Sequence, residues 1–264
     1  MHIHTSFNDE ILHYKFITNK DYKNLLTCIY CKDAIGMCDI IDEWTDKSYN
    51  VYQKFFLLLH IYNNCINDKL VFTHNGNKHI YYLDDLIQQL KYFEHKNWIN
   101  LTDNVSILVQ LPFKFYDNIF KKDHTLTISE MNEYFFNTCI THINVDGTIQ
   151  QLTRDEIDLL PSNIFDKITE YIRNLDAQLQ QTTFFGVLNF KLSLFTLLGI
   201  IQIIFNTDRN NFLEFEYAVR RHMKITTFDD MSYKYARDIA NFYTHEMQEQ
   251  QSAIEDAKNK YANR

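Results

Sequence analysis

Apolar residues recur along this chain mostly at the three-to-four-residue spacing of a helix, and only the first half breaks that rhythm. His13-Tyr14-Lys15-Phe16-Ile17-Thr18 alternates as a short half-buried strand does. Thr18 or Asn19 can then cap a helix in which Tyr22, Leu25, Leu26, Ile29, Met37, Ile40, Ile41 and Trp44 share a face, with Gly36 as the expected break or kink. Tyr52 to Ile66 reads as a second helix, made strongly apolar by Phe55, Phe56, Leu58, Leu59, Tyr62 and Ile66. The sharpest local signal is Asn75-Gly76 between Leu70–His74 and Lys78–Tyr82. Asn-Gly accepts the positive φ values of a type I′ turn, whose twist matches that of paired strands, so a hairpin is expected. Leu83 to Phe93 reads as a short helix, and Ser106 to Leu111, ending at Pro112, as a further strand.

Beyond about residue 125 the pattern is nearly all helical. Thr127 with Glu130, and Thr153 with Glu156, have the spacing of capping boxes, in which two side chains satisfy orphan amides at a helix start. After Pro161-Ser162, a stripe of Ile164, Phe165, Ile168, Tyr171, Ile172, Leu175 and Leu179 opposes Lys167, Glu170, Arg173 and Asp176. Phe212, Phe215, Val219 and Met223 start another helix, and Ala236, Ile239, Ala240, Tyr243, Met247 and Ile254 mark a last long one. The polar stretch Asn144 to Gln151 is the nearest thing to a linker. The fold class expected is α+β and mainly helical: a small mixed α/β region over residues 1–124 holding the Asn-Gly hairpin, then an all-helical region over 125–264.

Composition narrows the function. With 264 residues and 45% hydrophobic side chains the chain can bury a sizeable core, so a disordered chain is excluded. A net charge of -8 repels phosphate backbones and anionic lipid over most of the surface, which makes nucleic acid a poor principal ligand. Only 5 Gly and 2 Pro leave little material for Gly-rich phosphate cradles or many-turned barrels. Met1 to Lys20 lacks the cationic and apolar regions of a secretory signal, so a reducing compartment and free thiols are expected.

Candidate chemistry is sparse. Cys28, Cys31 and Cys38 could suggest zinc, but they fall at i, i+3 and i+10 of an expected helix with no fourth ligand beside them, and read instead as buried thiols. His2 and His4 form a His-x-His pair at a terminus, where chains are usually mobile. No Gly-x-Ser-x-Gly, His-Glu-x-x-His, Gly-x-Gly-x-x-Gly or Walker sequence occurs. Asp84-Asp85 and Asp229-Asp230 sit where acids at a helix start would meet the macrodipole. No catalytic, cofactor-binding or metal-binding residue is assigned, and no cofactor is expected.

The most unusual segment runs from Phe184 to Phe205 with a single charge, Lys191. Its length could span the ~30 Å core of a bilayer, but Asn189, Lys191 and Gln202 are costly in lipid and basic flanks are missing. A membrane span is therefore disfavoured against a helix buried in the fold or against a protein partner. Together with the helix behind it, the segment supplies the expected partner-binding residues: Phe184, Phe185, Phe195, Leu198, Ile201, Phe205, Phe212, Phe215 and Tyr217. The tail from Glu246 to Arg264 spaces Met247, Ile254 and Tyr261 by seven, either a solvated helix end or a thin docking or coiled-coil seam.

The order of elements carries a resemblance. Phe16-Ile17-Thr18-Asn19-Lys20-Asp21-Tyr22-Lys23-Asn24-Leu25-Leu26, then Tyr52 to His60 leading to Asn67–Phe72, then Gln110 to Tyr116, then Leu160-Pro161 before a long amphipathic helix, resembles the baseplate hub assembly proteins of T4-like contractile-tailed phages. Phe205 to Tyr217, followed by Met231-Ser232 and a helix ending in acidic and Gln-rich turns, is similar too. The likeness covers most of the chain through apolar patterns with no invariant chemical signature. It implies a non-enzymatic assembly chaperone or minor hub subunit that works beside hub subunits and the tape-measure protein, in the host cytoplasm during assembly. Retention in the virion tail and homo-oligomerisation stay open. The alternative expectation is a membrane-associated viral protein anchored by residues 184–205.

Overall fold

A computed structural model describes residues 2–74, 77–115, 138–180, 197–205 and 207–262. The chain opens with an antiparallel hairpin, β1 (His2–Phe7) and β2 (Glu10–Lys15), in register from His2 opposite Lys15 to Phe7 opposite Glu10. Asn8 takes the left-handed conformation its turn needs, and Phe7, Leu12 and Tyr14 point inward. His2 and His4, expected on a loose end, are thus paired strand residues.

Helix α1 (Asn19–Cys31) begins at Thr18, whose hydroxyl accepts from the Asp21 N–H while the Asp21 carboxylate accepts from the Thr18 N–H, a closed capping box. The break before α2 (Ala34–Trp44) falls at Lys32, which adopts φ 55° and sends its N–H back to Ile29. Gly36, expected as the break, lies instead in the first turn of α2. Asp33 caps that turn by accepting from the Gly36 N–H at 2.9 Å. A Cβ on Gly36 would stand 2.3 Å from Asp33 Oδ2, so close approach of the cap explains the glycine.

Helix α3 (Val51–Cys65) is the centre of the molecule, buried on every side from Val51 to Leu59. Asn50 and Gln53 close its capping box. Against it pack α4 (Leu83–Leu90) and the first hairpin, and, from later in the chain, the helices Leu197–Ile204 and Tyr233–Ala262. Strands β3 (Lys69–His74) and β4 (Asn77–Tyr82) pair antiparallel with His74 opposite Asn77, the hairpin expected from the sequence; residues 75 and 76 lie outside the described residues.

A four-stranded antiparallel sheet follows in the order β5 (Lys96–Asn100), β6 (Val105–Gln110), β7 (Ile140–Val145) and β8 (Thr148–Gln151). Ile99, Ile107 and Ile143 are opposite one another on adjacent strands, and this row faces the core. The stretch Asn144 to Gln151, expected as the nearest thing to a linker, is therefore the end of β7, a turn and β8. The sheet thus takes strands from both sides of residue 125. The Thr127–Glu130 capping box lies outside the described residues.

The remainder is helical, and the α+β, mainly helical class holds. Helix α5 (Arg154–Asp158) starts at the expected Thr153 box, with the Thr153 N–H and hydroxyl both donating to Glu156. Then come α6 (Ser162–Gln180), α7 (Leu197–Ile204), α8 (Arg209–His222), a 3-10 turn (Phe228–Asp230) and α9 (Tyr233–Ala262). These close on the first helix: the Asn19 N–H donates to Met231 O at 2.7 Å and its side-chain amide to Phe228 O at 2.8 Å. Lys23 pairs with Glu216 at 2.7 Å. Tyr22 lies among Phe205, Phe212 and Tyr233 with ring centroids 5.6–6.2 Å away, so first and last elements share one hydrophobic core.

Candidate functional site

The expected partner-binding residues separate into three groups. Phe184, Phe185 and Phe195 lie outside the described residues, as do Asn189 and Lys191. Ile201, Phe205 and Phe212 are core: α7 turns Leu197, Ile200, Ile201 and Ile204 inward, Phe205 meets Tyr22, Trp44 and Tyr62, and Phe212 meets Tyr22 edge-on. In this fold those three cannot face a partner, because their apolar surface is already spent on the interior. Phe215 is half-buried against Phe228 and Tyr233. Leu198, 39% exposed, and Tyr217, 56% exposed, reach the surface, the Tyr217 ring lying under the Arg221 guanidinium. No helix of the described residues is long and apolar enough to cross a membrane.

The surface that does look outward is the distal half of α9. Its proximal half is tied down: Ser232 and Ala236 are buried, Tyr233 stacks on Phe212, and the Lys234 ammonium donates to Asn63 O at 2.9 Å. Beyond Tyr243 the character changes, and every residue from Thr244 to Glu255 is exposed. The helix continues to Ala262, so about 20 residues extend roughly 30 Å past the last anchored turn. Along this arm Phe242 is 73% exposed, Met247 48% and Ile254 55%. Most helical stability in proteins comes from a packed face, which this arm lacks, and the i,i+4 His245–Glu249 contact adds little at an exposed site. Tyr217 on α8 and this arm are the aromatic and apolar positions left unburied in the C-terminal region's last helices, along with Tyr235.

A polar cleft of about 350 Å³ lies at one end of the four-stranded sheet, lined by Asn100, Asp103, Asn104, Ser106, Asn144 and Asp146 among others. Asn100, Ser106 and Asn144 are opposite one another on β5, β6 and β7, on the face away from the core. The β5–β6 and β7–β8 turns are joined where the Asp146 N–H donates to Asn104 O at 2.9 Å. Asn144 Oδ1 is buried there without a hydrogen-bond partner. Such a lining offers oxygen acceptors to water or hydroxyl groups. Among the described residues, no group of three or more His, Cys, Asp and Glu could hold a metal ion.

The titratable interior is structural in character. Lys54 on α3 is fully buried, donating to Asp42 Oδ1 at 2.8 Å and Phe113 O at 2.7 Å, which pins the chain after β6 to α3. Burial pulls its ammonium below the ordinary lysine range, with Asp42 opposing. His95 sits between Phe7 and Tyr52 with Nδ1 2.7 Å from the Asn50 amide, and His60 touches Thr5 Oγ1 at 3.2 Å. Burial pushes both imidazoles down to about 4. Of the thiols expected to be buried, Cys38 is, Cys28 is half-buried against the core and Cys31 is exposed at the end of α1; Cys65 and Cys139 are buried too. Burial raises the Cys65 thiol to about 12, away from nucleophilic use. Asp84 and Asp85 occupy the first turn of α4 as expected, but Asp229 lies in the 3-10 turn and pairs with Arg220 at 2.7 Å.

The amphipathic spacing of the tail marks the α9 arm in the sequence, whereas of the aromatic and aliphatic positions expected to bind a partner Ile201, Phe205 and Phe212 are taken by the core and Leu198 and Tyr217 stay exposed. The cleft was missed, although Asp146-Gly147 is itself a hairpin dipeptide. Comparison with known protein families, with curated proteins and with solved structures finds no match for this chain.

Proposed function

We propose that this chain is a non-enzymatic assembly protein that docks on other proteins through the distal half of α9. The single observation that supports the reading is the arm itself: an amphipathic helix held at its root and bare from Thr244 to Glu255, with Phe242, Met247 and Ile254 uncovered. Large apolar side chains exposed along one helix are suited to a helix-in-groove interface, where a few of them dominate the binding energy. The resemblance to baseplate hub assembly proteins of contractile-tailed phages names the partners to try first, hub subunits and the tape-measure protein. The buried histidines, lysine and most of the thiols serve packing in this reading, and no cofactor enters it.

The test is capture of tail proteins from infected cells by tagged chain, with partners identified by mass spectrometry. Met247→Asp should weaken capture at least tenfold, since a hot-spot truncation costs about 2 kcal/mol or more, while circular dichroism stays unchanged. Capture equal to wild type by that variant would overturn the reading.

A further inference from the structure

We propose that the outer face of the four-stranded sheet binds a neutral carbohydrate, its hydroxyl groups entering the polar cleft and a ring face resting on Trp98. The site shares no residue with the α9 arm and stands independently of the docking reading.

The strand register divides the sheet into two faces. Ile99, Ile107 and Ile143 face the core, so the cross-strand rows immediately before and after them face away from it. One outer row runs Asn100, Ser106, Asn144 and Ile149 across β5 to β8, and the other runs Trp98, Leu108, His142 and Gln151. The cleft is built on the first row and walled by Asp103 and Asn104 of the β5–β6 turn and Asp146 of the β7–β8 turn. The Asp146 N–H bond to Asn104 O holds those walls together, so the cleft is formed before any ligand arrives. Trp98 is half-buried, yet it is neither part of the core nor packed against it. It stands two residues before Asn100 on the same face, about 7 Å away along the strand, which sets an apolar ring beside a polar cleft.

Unpaired groups and the kind of lining select the ligand. Asn144 Oδ1 and His142 Nδ1, on the same face of β7, are shielded from solvent without a hydrogen-bond partner, where buried polar atoms are nearly always paired. The Asn144 amide lines the cleft, and rotation about its soft χ2 torsion presents Oδ1 to it; an amide oxygen only accepts, so the ligand must donate. The side chains of Asn100, Asn104 and Ser106 both donate and accept, which matches hydroxyl groups, since these do the same. The only charged residues in the lining are Asp103 and Asp146, which repel phosphate and carboxylate ligands. A calcium ion takes six to eight oxygens and needs far less room than about 350 Å³, a volume at the small end of organic-ligand sites. A sugar ring combines the two demands: hydroxyls at its edge for the cleft, and a face of C–H groups for the negative face of the indole.

The chain has two tryptophans, and Trp44 is sealed in the core, so a ligand-induced change in indole fluorescence reports Trp98. The full chain is titrated with maltotetraose, cellotetraose and chitotetraose, by fluorescence and by calorimetry, at low and high salt. A saturable change with at least one of them is expected, of millimolar affinity or tighter and indifferent to salt. Trp98→Phe should lose the fluorescence signal but keep binding in the calorimeter, because a ring remains. Trp98→Ala and Asn144→Leu should each weaken binding about tenfold while circular dichroism stays unchanged. No saturable binding of any of the three sugars up to about 20 mM overturns the proposal. Binding that high salt abolishes, or saturable binding of calcium chloride or inorganic phosphate alone that Asn144→Leu removes, overturns the neutral ligand. Sugar binding that both Trp98→Ala and Asn144→Leu leave intact overturns the site.

Discussion

At the residue scale the interior is tuned by desolvation. His95 is enclosed by Phe7, Tyr52 and Asn50, and His60 by Tyr14, Phe56 and Thr5, surroundings that suit a neutral ring and oppose an imidazolium. Both rings are held near pKa 4 in the folded chain, against about 6.5 when unfolded. Above pH 6.5 neither state binds the proton and the two histidines leave stability unchanged. Between 6.5 and 4 only the unfolded chain gains protons, so stability falls as the pH falls, on the order of 3 kcal/mol per histidine by pH 4. The Asp21 and Asp46 carboxyls, held below the usual range despite burial at Asp21, add their own loss only at lower pH. Urea midpoints should thus decline through this window, and His60→Gln with His95→Gln should flatten the decline. A flat wild-type profile from pH 7 to 4.5 would show that these rings are not desolvated.

At the element scale, legibility followed the strength of local chemistry. Helices α1, α3, α4 and α8 could be read because their apolar stripes coincide with side chains able to cap a start, or follow directly from a strand. The β3–β4 hairpin could be read because β-rich segments flank Asn-Gly. Strand β5 could not, since Lys96 to Asn100 carries little alternation and is held by pairing with β6. Strand β8 is exposed at every position, so no hydrophobic pattern marks it. For the candidate site, sequence identified aromatic richness but not which rings the core would take, because Tyr22 and Phe212 meet only through long-range packing. Asp146-Gly147 was the available clue to β7–β8: Asp146 has φ 51° and Gly147 φ 85°. Nothing lies within 4 Å of a Cβ placed on Gly147, so backbone strain alone decides its substitution. Gly147→Val should cost about 1–2 kcal/mol in urea unfolding, and Gly147→Asn much less, since Asn tolerates this region. Equal stability of the valine variant would mean that this turn does not hold the two strands.

At the scale of the whole molecule, the last elements belong to the core of the first, while the arm from Thr244 lies outside it. Asn19 is bonded to Phe228 and Met231, Lys23 to Glu216, and Lys234 to Asn63. Tyr22 is walled by Phe205, Phe212 and Tyr233. Severing the chain after Asp208 would strip two of those three rings away together with Phe228, and leave buried polar groups of Asn19 without partners, a loss too large for a fold of ordinary stability. Severing it after Asn241 removes exposed helix and a half-buried Tyr243 while keeping Ser232, Tyr233 and Ala236 in place. The two truncations therefore separate folding from docking. Residues 1–241 should melt within about 2 °C of the full chain and fail to capture tail proteins, whereas residues 1–208 should not give a cooperative transition. If 1–241 melts far below the full chain, the arm packs on the body instead of extending from it. If 1–241 melts normally yet still captures tail proteins, the docking surface lies elsewhere, with Leu198, Phe215 and Tyr217 the next positions to change.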